Sequence, residues 1–231
     1  MTDAPSFELT PPYLALQSEA RALAASCADI AARADEADRF DPDIRQRLAA
    51  SGLVDVVVAA RYGGRYETVD SLAVTVVREA FAFESAHLDS MFAMQGIGSF
   101  VVSHHGSDAV RDTWLPKVAS LDAIGALALT EPDVGSDLRA ITTSAAVDGD
   151  EIVVNGHKSF ITNAGDADFY SVLCREGDAY SLVLVPASTP GVSITAPHQI
   201  IAPHVLGDVV FEDVRVPLDH RLGDQGNGFK L

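Results

Sequence analysis

Near residue 122 the apolar residues of this chain change their period, and that change constrains the fold more than any other feature. Upstream they recur with helical spacing. Leu16, Ala20, Leu23, Cys27, Ile30 and Ala34 fall on one stripe. Asp41-Pro42 then reads as an N-cap followed by proline at the first helical position. Ile44, Leu48 and Ala49 form the next buried face, and Gly52 closes that helix in a left-handed conformation. Val54 to Ala59 is short and apolar, a strand or an extended linker, and Arg61-Tyr62-Gly63-Gly64-Arg65 reads as a loop. A third helix starts at Thr68 and buries Leu72, Ala73, Val76, Val77 and Ala80. A fourth, Leu88 to Val102, is apolar nearly all round and belongs at the centre of its domain. A fifth has Ser107 as N-cap and runs to Leu115, where Pro116 disfavours helix.

Downstream the pattern is that of strands. Runs at Ala126 to Thr130 and Ala140 to Val147 are followed by a hairpin turn at Asp148-Gly149 into Glu151 to Val154. Phe160 to Thr162, Phe169 to Cys174, Tyr180 to Val185, Val192 to Thr195 and Val209 to Val216 complete the set. Short strands separated by Gly, Pro, Asp and Asn predict an antiparallel barrel or sandwich, not a parallel sheet with crossover helices. The expected fold class is therefore α+β. A helical domain occupies residues 1–121, a β domain 122–221, and residues 222–231 begin a Gly-rich linker.

Of the 231 residues, 48% are hydrophobic, enough for one large core or two modest ones. A formal charge of −17 argues against a nucleic-acid surface, yet backbone N–H groups can still hold a phosphate. Met1-Thr2-Asp3-Ala4-Pro5 shows neither a basic n-region nor an apolar h-region, so no signal peptide and a cytoplasmic location are expected. No membrane span is expected either: the longest apolar stretch, Met91 to Val102, is interrupted by Gln95, Gly96, Gly98 and Ser99. Cys27 and Cys174, far apart in apolar contexts, read as two buried thiols. No metal site is expected. His104-His105 has no other ligand at useful spacing and reads as two exposed residues at a helix end.

Common cofactor signatures are missing. Gly96 and Gly98 lack the third glycine of a dinucleotide loop, because Val101 stands there. The informative stretch is Leu127-Ala128-Leu129-Thr130-Glu131-Pro132-Asp133-Val134-Gly135-Ser136-Asp137. A strand ends at Thr130, Pro132 forces a turn, and Gly135-Ser136 supplies a close backbone approach beside a hydroxyl. Such a turn can cradle an anion. Alone, it is equally an ordinary strand-to-loop turn. It is followed, however, by Gly156-His157-Lys158-Ser159-Phe160-Ile161-Thr162-Asn163.

The pair resembles the acyl-CoA dehydrogenase family, whose middle domain carries T-E-P-x-x-G-S-D and then G-x-K-x-x-[WF]-I-T-N. Further similarities follow in order: Tyr62-Gly63-Gly64, His105-Gly106-Ser107 with Leu115-Pro116, Phe211-Glu212-Asp213-Val214-Arg215-Val216-Pro217, and Gly226-Asn227-Gly228-Phe229. The resemblance covers nearly the whole chain. It implies FAD as cofactor, in a cleft between the helical domain and the barrel. Leu127, Leu129, Thr130, Gly135, Ser136, Phe160 and Thr162 would then be cofactor-binding. Phe160 would flank the isoalloxazine where the family often has Trp, and Thr162 would bond near N5. Leu129 and Thr130 would meet the pyrimidine edge, with Gly135 and Ser136 near the pyrophosphate. Ser136 would also lie near the substrate thioester. Six of these, Leu129, Thr130, Gly135, Ser136, Phe160 and Thr162, are expected to converge on one cleft. Taken singly, Phe160 reads as a core aromatic and Thr162 as a β-branched strand residue.

The implied reaction is α,β-dehydrogenation of an acyl-CoA or acyl-carrier-protein thioester, with an electron-transfer flavoprotein or similar acceptor. In the family the catalytic base belongs to a third, helical-bundle domain, which also builds the oligomer. No residue of this chain is therefore assigned as catalytic, and the chain is expected to be an incomplete form. A homo-oligomer or a bundle-supplying partner is expected. Glu84, Glu131 and Glu212 read as a solvated helix end, a turn residue and an exposed strand position. Two other readings stand: a non-catalytic scaffold subunit, and a flavin monooxygenase or oxidase on the same architecture.

Overall fold

The structure, a computed structural model, describes residues 8–37, 39, 41–201 and 205–231, with only the backbone at Ala196. The reading of Met1 to Pro5 lies outside them. Five helices come first: α1 (Pro11–Ala37), α2 (Pro42–Ser51), α3 (Ser71–Glu84), α4 (Ala86–His105) and α5 (Asp108–Ser120). Eight strands follow among the described residues: β1 (Gly125–Ala128), β2 (Ser144–Asp148), β3 (Glu151–Thr162), β4 (Phe169–Glu176), β5 (Ala179–Pro186), β6 (Val192–His198), β7 (Leu206–Pro217) and β8 (Arg221–Leu222). The α+β class and the order of helices before sheet are as the sequence implies.

The caps explain several boundaries. Asp41 accepts from the Asp43 N–H at the start of α2, and Gly52 ends that helix at φ 72°. Ser107 caps α5 by accepting from the Val110 N–H. The third helix starts at Ser71 and not at Thr68, because Asp70 accepts from the N–H groups of Leu72 and Ala73. Leu72 is 45% exposed. Ala49 is exposed and Leu23 only half-buried, with Ala24 taking the buried place beside Cys27. Val54 to Ala59 is not a strand: Leu53–Val57 forms a 3₁₀ turn with Val54, Val56 and Val57 buried. Helix α5 runs through Pro116 to Ser120. Pro116 and Asp112, whose carbonyl loses its partner, are both exposed, so the freed group lies on the solvent side of the helix and is not buried in the core.

The sheet runs β6-β7-β3-β2-β4-β5-β8 and is mostly antiparallel. Parallel pairing occurs where β1 lies along β4 and where β2 meets β4 at Ser144 and Arg175. The β2–β3 hairpin pairs Asp148 with Glu151, so its turn residues are Gly149, at φ 66°, and Asp150. Two bulges interrupt the long β3–β7 ladder. In one, Glu212 and Asp213 oppose Asn155, and in the other Ser159 and Phe160 oppose Asp208.

Strands β4 and β5 are buried on both faces, which is why they read as continuous apolar runs. Tyr170, Val172, Cys174, Val183 and Val185 face the interior of the sheet layer. Phe169, Leu173, Leu182 and Leu184 join the core of the helices. The seam is closed by glycine. A Cβ on Gly98 of α4 would lie 2.7 Å from the Ala126 nitrogen, and one on Gly125 would lie 2.8 Å from the Phe169 ring. Gln95, fully buried beside them, donates to the Ala123 carbonyl (2.7 Å) and accepts from the Gly125 N–H (3.1 Å). Gly98 is therefore a packing residue.

Candidate functional site

Helices α3 and α4 stand off from β1, β4 and β5 around a cavity of about 620 Å³. Ala93, Gly96, Ile97 and Phe100 of α4 form one wall; Leu127, Leu129, Leu173 and Leu182 form another. The spacing of the α4 residues puts them on one stripe, the single face of that helix not packed into the core. Polar groups enter at Ser71, Thr75, Arg78, Ser103 and His104. Arg78 is held by Asp89 through two contacts of 2.9 and 2.8 Å. No carboxylate among the described residues lines the cavity.

The chain just beyond β1 is tied to the second bulge of β3. The Ser159 N–H donates to the Thr130 carbonyl (2.9 Å). Lys158, fully buried, donates from Nζ to the Leu129 carbonyl (2.8 Å) and to Glu131 Oε1 (3.0 Å). Glu131, the residue that opens the turn, is buried too. It accepts from the N–H (2.7 Å) and Oγ1 (2.8 Å) of Thr142 and from the N–H of Thr143 (2.9 Å). Burial by itself would raise its pKa, but the hydrogen bonds from Thr143 and Thr142 outweigh it and hold the carboxyl at about 2. Burial lowers the pKa of Lys158, and Glu131 opposes that shift. Cys174, buried in the same interior, is pushed up to about 12, first by burial.

Across the bulge, Asp208 gathers a second cluster. Ser159 Oγ donates to its Oδ1 (2.6 Å); His198 Nε2 lies 2.5 Å from Oδ1, and His157 Nε2 lies 2.8 Å from Oδ2. Burial would raise Asp208, yet the bonds from Ser159, His198 and His157 bring it to about 2. Phe160, the next residue, has φ 56° and remains 53% exposed. A bulky residue in the left-handed region is strained, and the bulge both forces that conformation and displays the ring. One face of its ring stacks on His198, with centroids 4.3 Å apart at 15°.

Of the residues singled out from the sequence, Leu127 and Leu129 line the cavity. Thr130 follows directly and is linked through Ser159 to Phe160. Thr162 is half-buried where β3 ends, paired with Leu206. The turn is closed by reciprocal bonds between Glu131 and Val134, leaving Gly135 and Ser136 exposed. A side chain at Gly135 would meet nothing within 4 Å, so no contact inside the chain requires glycine there. Thr130, Gly135, Ser136, Phe160 and Thr162 do not line the cavity itself. Both cysteines are buried and free, no helix is long and apolar enough to cross a membrane, and no group of metal ligands occurs among the described residues.

The description "Acyl-CoA dehydrogenase, N-terminal domain" matches residues 10–122, and "Acyl-CoA dehydrogenase, middle domain" matches residues 126–214. The chain belongs to the acyl-CoA dehydrogenase family. It is 34% identical to cyclohexane-1-carbonyl-CoA dehydrogenase of Syntrophus aciditrophicus, over 94% of this chain and 58% of that protein. A glutaryl-CoA dehydrogenase from Mycobacterium smegmatis, solved in complex with FADH2, superposes with a TM-score of 0.88 at 25% identity, covering 96% of this chain and 57% of that one. The butyryl-CoA dehydrogenase of Megasphaera elsdenii shares the fold, with a TM-score of 0.91 at 24% identity over 98% of this chain and 62% of the other. The chain thus spans about 58% of the length of the first of these relatives.

In this acyl-CoA dehydrogenase chain, reading by sequence missed both clusters at the β3 bulge. One signal was available. Ile152, Val154, Gly156 and Lys158 share a parity along β3, so the inward alternation carries Lys158 into the core. No comparable signal existed for Asp208, because His157 and His198 reach it only through the pairing of β3, β6 and β7.

Proposed function

We propose that this chain forms the flavin- and thioester-holding part of an FAD-dependent acyl thioester dehydrogenase. The observation that carries this reading is the tie between Thr130 and Ser159, which brings the two motif segments together beside an apolar cavity roofed by α3 and α4. The residues present suit the cofactor. Phe160 offers an exposed aromatic face, Thr130 and Thr162 offer hydroxyls, and the exposed Gly135-Ser136 turn leaves room for a phosphate. Leu127 and Leu129 provide an apolar wall for an acyl group. When bound, FAD would supply the hydride acceptor for the β carbon of an acyl-CoA or acyl-carrier-protein substrate.

The α proton requires a base, and among the described residues no carboxylate side chain lines the cavity. Glu131 is saturated by Lys158, Thr142 and Thr143, while Glu84 and Glu212 are exposed outside the cavity. We therefore assign the base to no described residue; it would come from a segment or partner beyond them. The same feature keeps a second reading open, that of a binding subunit acting with a partner. An electron-transfer flavoprotein or similar acceptor, and an oligomer, belong to the reading of the assembled enzyme.

Purified residues 1–231 should show saturable but weak FAD binding by fluorescence quenching, and no turnover of an acyl-CoA series with an artificial electron acceptor. Loss of a positioned base costs about 10² to 10⁴-fold in rate. Absence of any saturable flavin binding would refute the cofactor reading. Robust turnover would place a base within this chain and refute the second statement alone.

A further inference from the structure

We propose that the buried Lys158–Glu131 pair is a positioning device that aims the Thr130 N–H at the cofactor, an inference that rests on the flavin reading above. A trans peptide holds its C=O and N–H on opposite sides. The Leu129 carbonyl shares its peptide plane with the Thr130 N–H, and it is pinned by Lys158 Nζ at 2.8 Å. The Thr130 N–H must then face away from Lys158. The neighbouring peptide is pinned as well, by the Ser159 N–H on the Thr130 carbonyl at 2.9 Å. Thr130 is half-buried, and among the described residues its N–H has no hydrogen-bond partner. A sheltered N–H without a partner is uncommon, because folding rarely leaves one unpaired. Here it stands next to Leu129, a wall residue of the cavity.

Lys158 can serve as this pin only if it is held itself. Glu131 Oε1 at 3.0 Å supplies the counter-charge, and three donors from Thr142 and Thr143 complete the carboxylate. The pair is 0% and 4% exposed at the side chains, so its geometry is not exchanged with water. A hydrophobic pair of similar volume would fill the same space and could be as stable. It would not hold the Leu129 carbonyl. The ionic pair therefore contributes a direction for one peptide, which an apolar core would not provide.

The test uses residues 1–231 with FAD as probe. Lys158→Met alone would leave Glu131 buried without its counter-charge, so loss of folding and loss of aim would be confounded in it. The double variant Glu131→Gln with Lys158→Met, and the conservative Lys158→Arg, are compared with wild type. Three quantities are read: the unfolding midpoint, the FAD dissociation constant, and the visible circular dichroism of bound flavin. The expected result is a midpoint near wild type in the double variant, with FAD affinity weakened roughly tenfold, the equivalent of one hydrogen bond, and an altered flavin signal. Lys158→Arg, which keeps the charge but not the single Nζ at the Leu129 carbonyl, should also hold its midpoint near wild type and still alter the flavin signal. A folded double variant with wild-type affinity and spectrum would overturn this proposal alone. Failure of the wild type to bind FAD at all would overturn it together with the flavin reading. Hydrogen exchange on the wild type provides a measurement independent of any variant. The Thr130 amide should slow on FAD addition, and unchanged exchange in the flavin-bound chain would overturn the proposal.

Discussion

The helical and sheet regions of this chain bury polar groups in different ways. Inside the helices, the interior is mainly an apolar cluster from Leu16 to Leu121; Gln95 bonds to backbone at its edge, at the approach to β1, and His87 is a fully buried ionisable side chain, 3.7 Å from Asp35. Inside the sheet, carboxylates are buried with ionic or hydrogen-bonding partners: Glu131 with the equally buried Lys158, Asp208 with Ser159 and two part-exposed histidines, and Glu176 with the part-exposed Arg221. Helices satisfy their own backbone, so their packing needs only an apolar stripe. A strand that ends, bulges or turns leaves carbonyls and N–H groups to be matched, and here side-chain ions match them. Lys158 caps the Leu129 carbonyl, and Glu131 receives the N–H groups of Thr142 and Thr143. Two of the ionic clusters flank the residues that carry the family motifs. The difference teaches that the sheet layer is built for the placement of particular backbone groups, the helical layer for bulk.

The sharpest way to break this contrast is to unbalance one ionic pair. Lys158→Met should cost about 3–5 kcal/mol in urea denaturation, because it leaves Glu131 buried without its counter-charge. Adding Glu131→Gln should recover most of the loss. An equal cost in single and double variants would show that volume, not charge, holds the site.

Acid probes the same difference without mutation. The folded pKa values of Glu131 and Asp208 lie at about 2, below their ordinary values of 4.5 and 3.8. Groups lowered on folding stabilise the fold above their ordinary pKa, and that contribution is lost as pH falls toward the folded value. Stability should therefore drop between about pH 4.5 and 2, by about 3 kcal/mol for Glu131. Urea midpoints followed over that range check it, and Glu131→Gln should flatten the descent. The α-helical signal and the near-ultraviolet signal should then part, with tertiary packing of the sheet lost first.

The seam between the regions gives the smallest effect. Gly98→Ala places a methyl 2.7 Å from the Ala126 backbone, which cannot withdraw. About 1–3 kcal/mol should be lost through separation of α4 from β1. Gly135→Ala, with open space at its Cβ, should leave stability within about 0.5 kcal/mol of wild type. A stable Gly98→Ala chain would mean that the two regions are free to slide at this contact.

Much of the architecture is written in local pattern. The helical stripe of α1, the Asp41 and Ser107 caps, Gly52 at φ 72° and the alternation of the strands each depend on near neighbours, so the chain alone specifies them. The misjudged elements fail for the converse reason. Val54 to Val57 is apolar enough for a strand, but it turns under α2 and α5 because those helices bury it. Pro116 stays within a helix because Asp112, whose carbonyl it leaves without a partner, lies on the exposed face, which only the placement of α5 decides. Leu72 and Ala49 continue an apolar pattern yet stay exposed.

At the site, the two family motifs were legible in the chain alone: the Leu127-to-Asp137 turn and the Gly156-to-Asn163 strand are recognisable as a pair. Tertiary structure alone decided how they are joined. The bond from Ser159 to Thr130, the capture of the Leu129 carbonyl by Lys158 and the reach of His157 to Asp208 each span a large separation in the chain. The positive φ of Phe160 arises because β3 carries one residue more than β7 at the bulge, a count fixed by register. Local pattern fixes what a short segment prefers, whereas the direction of a carbonyl is set by whichever distant group arrives to bond it.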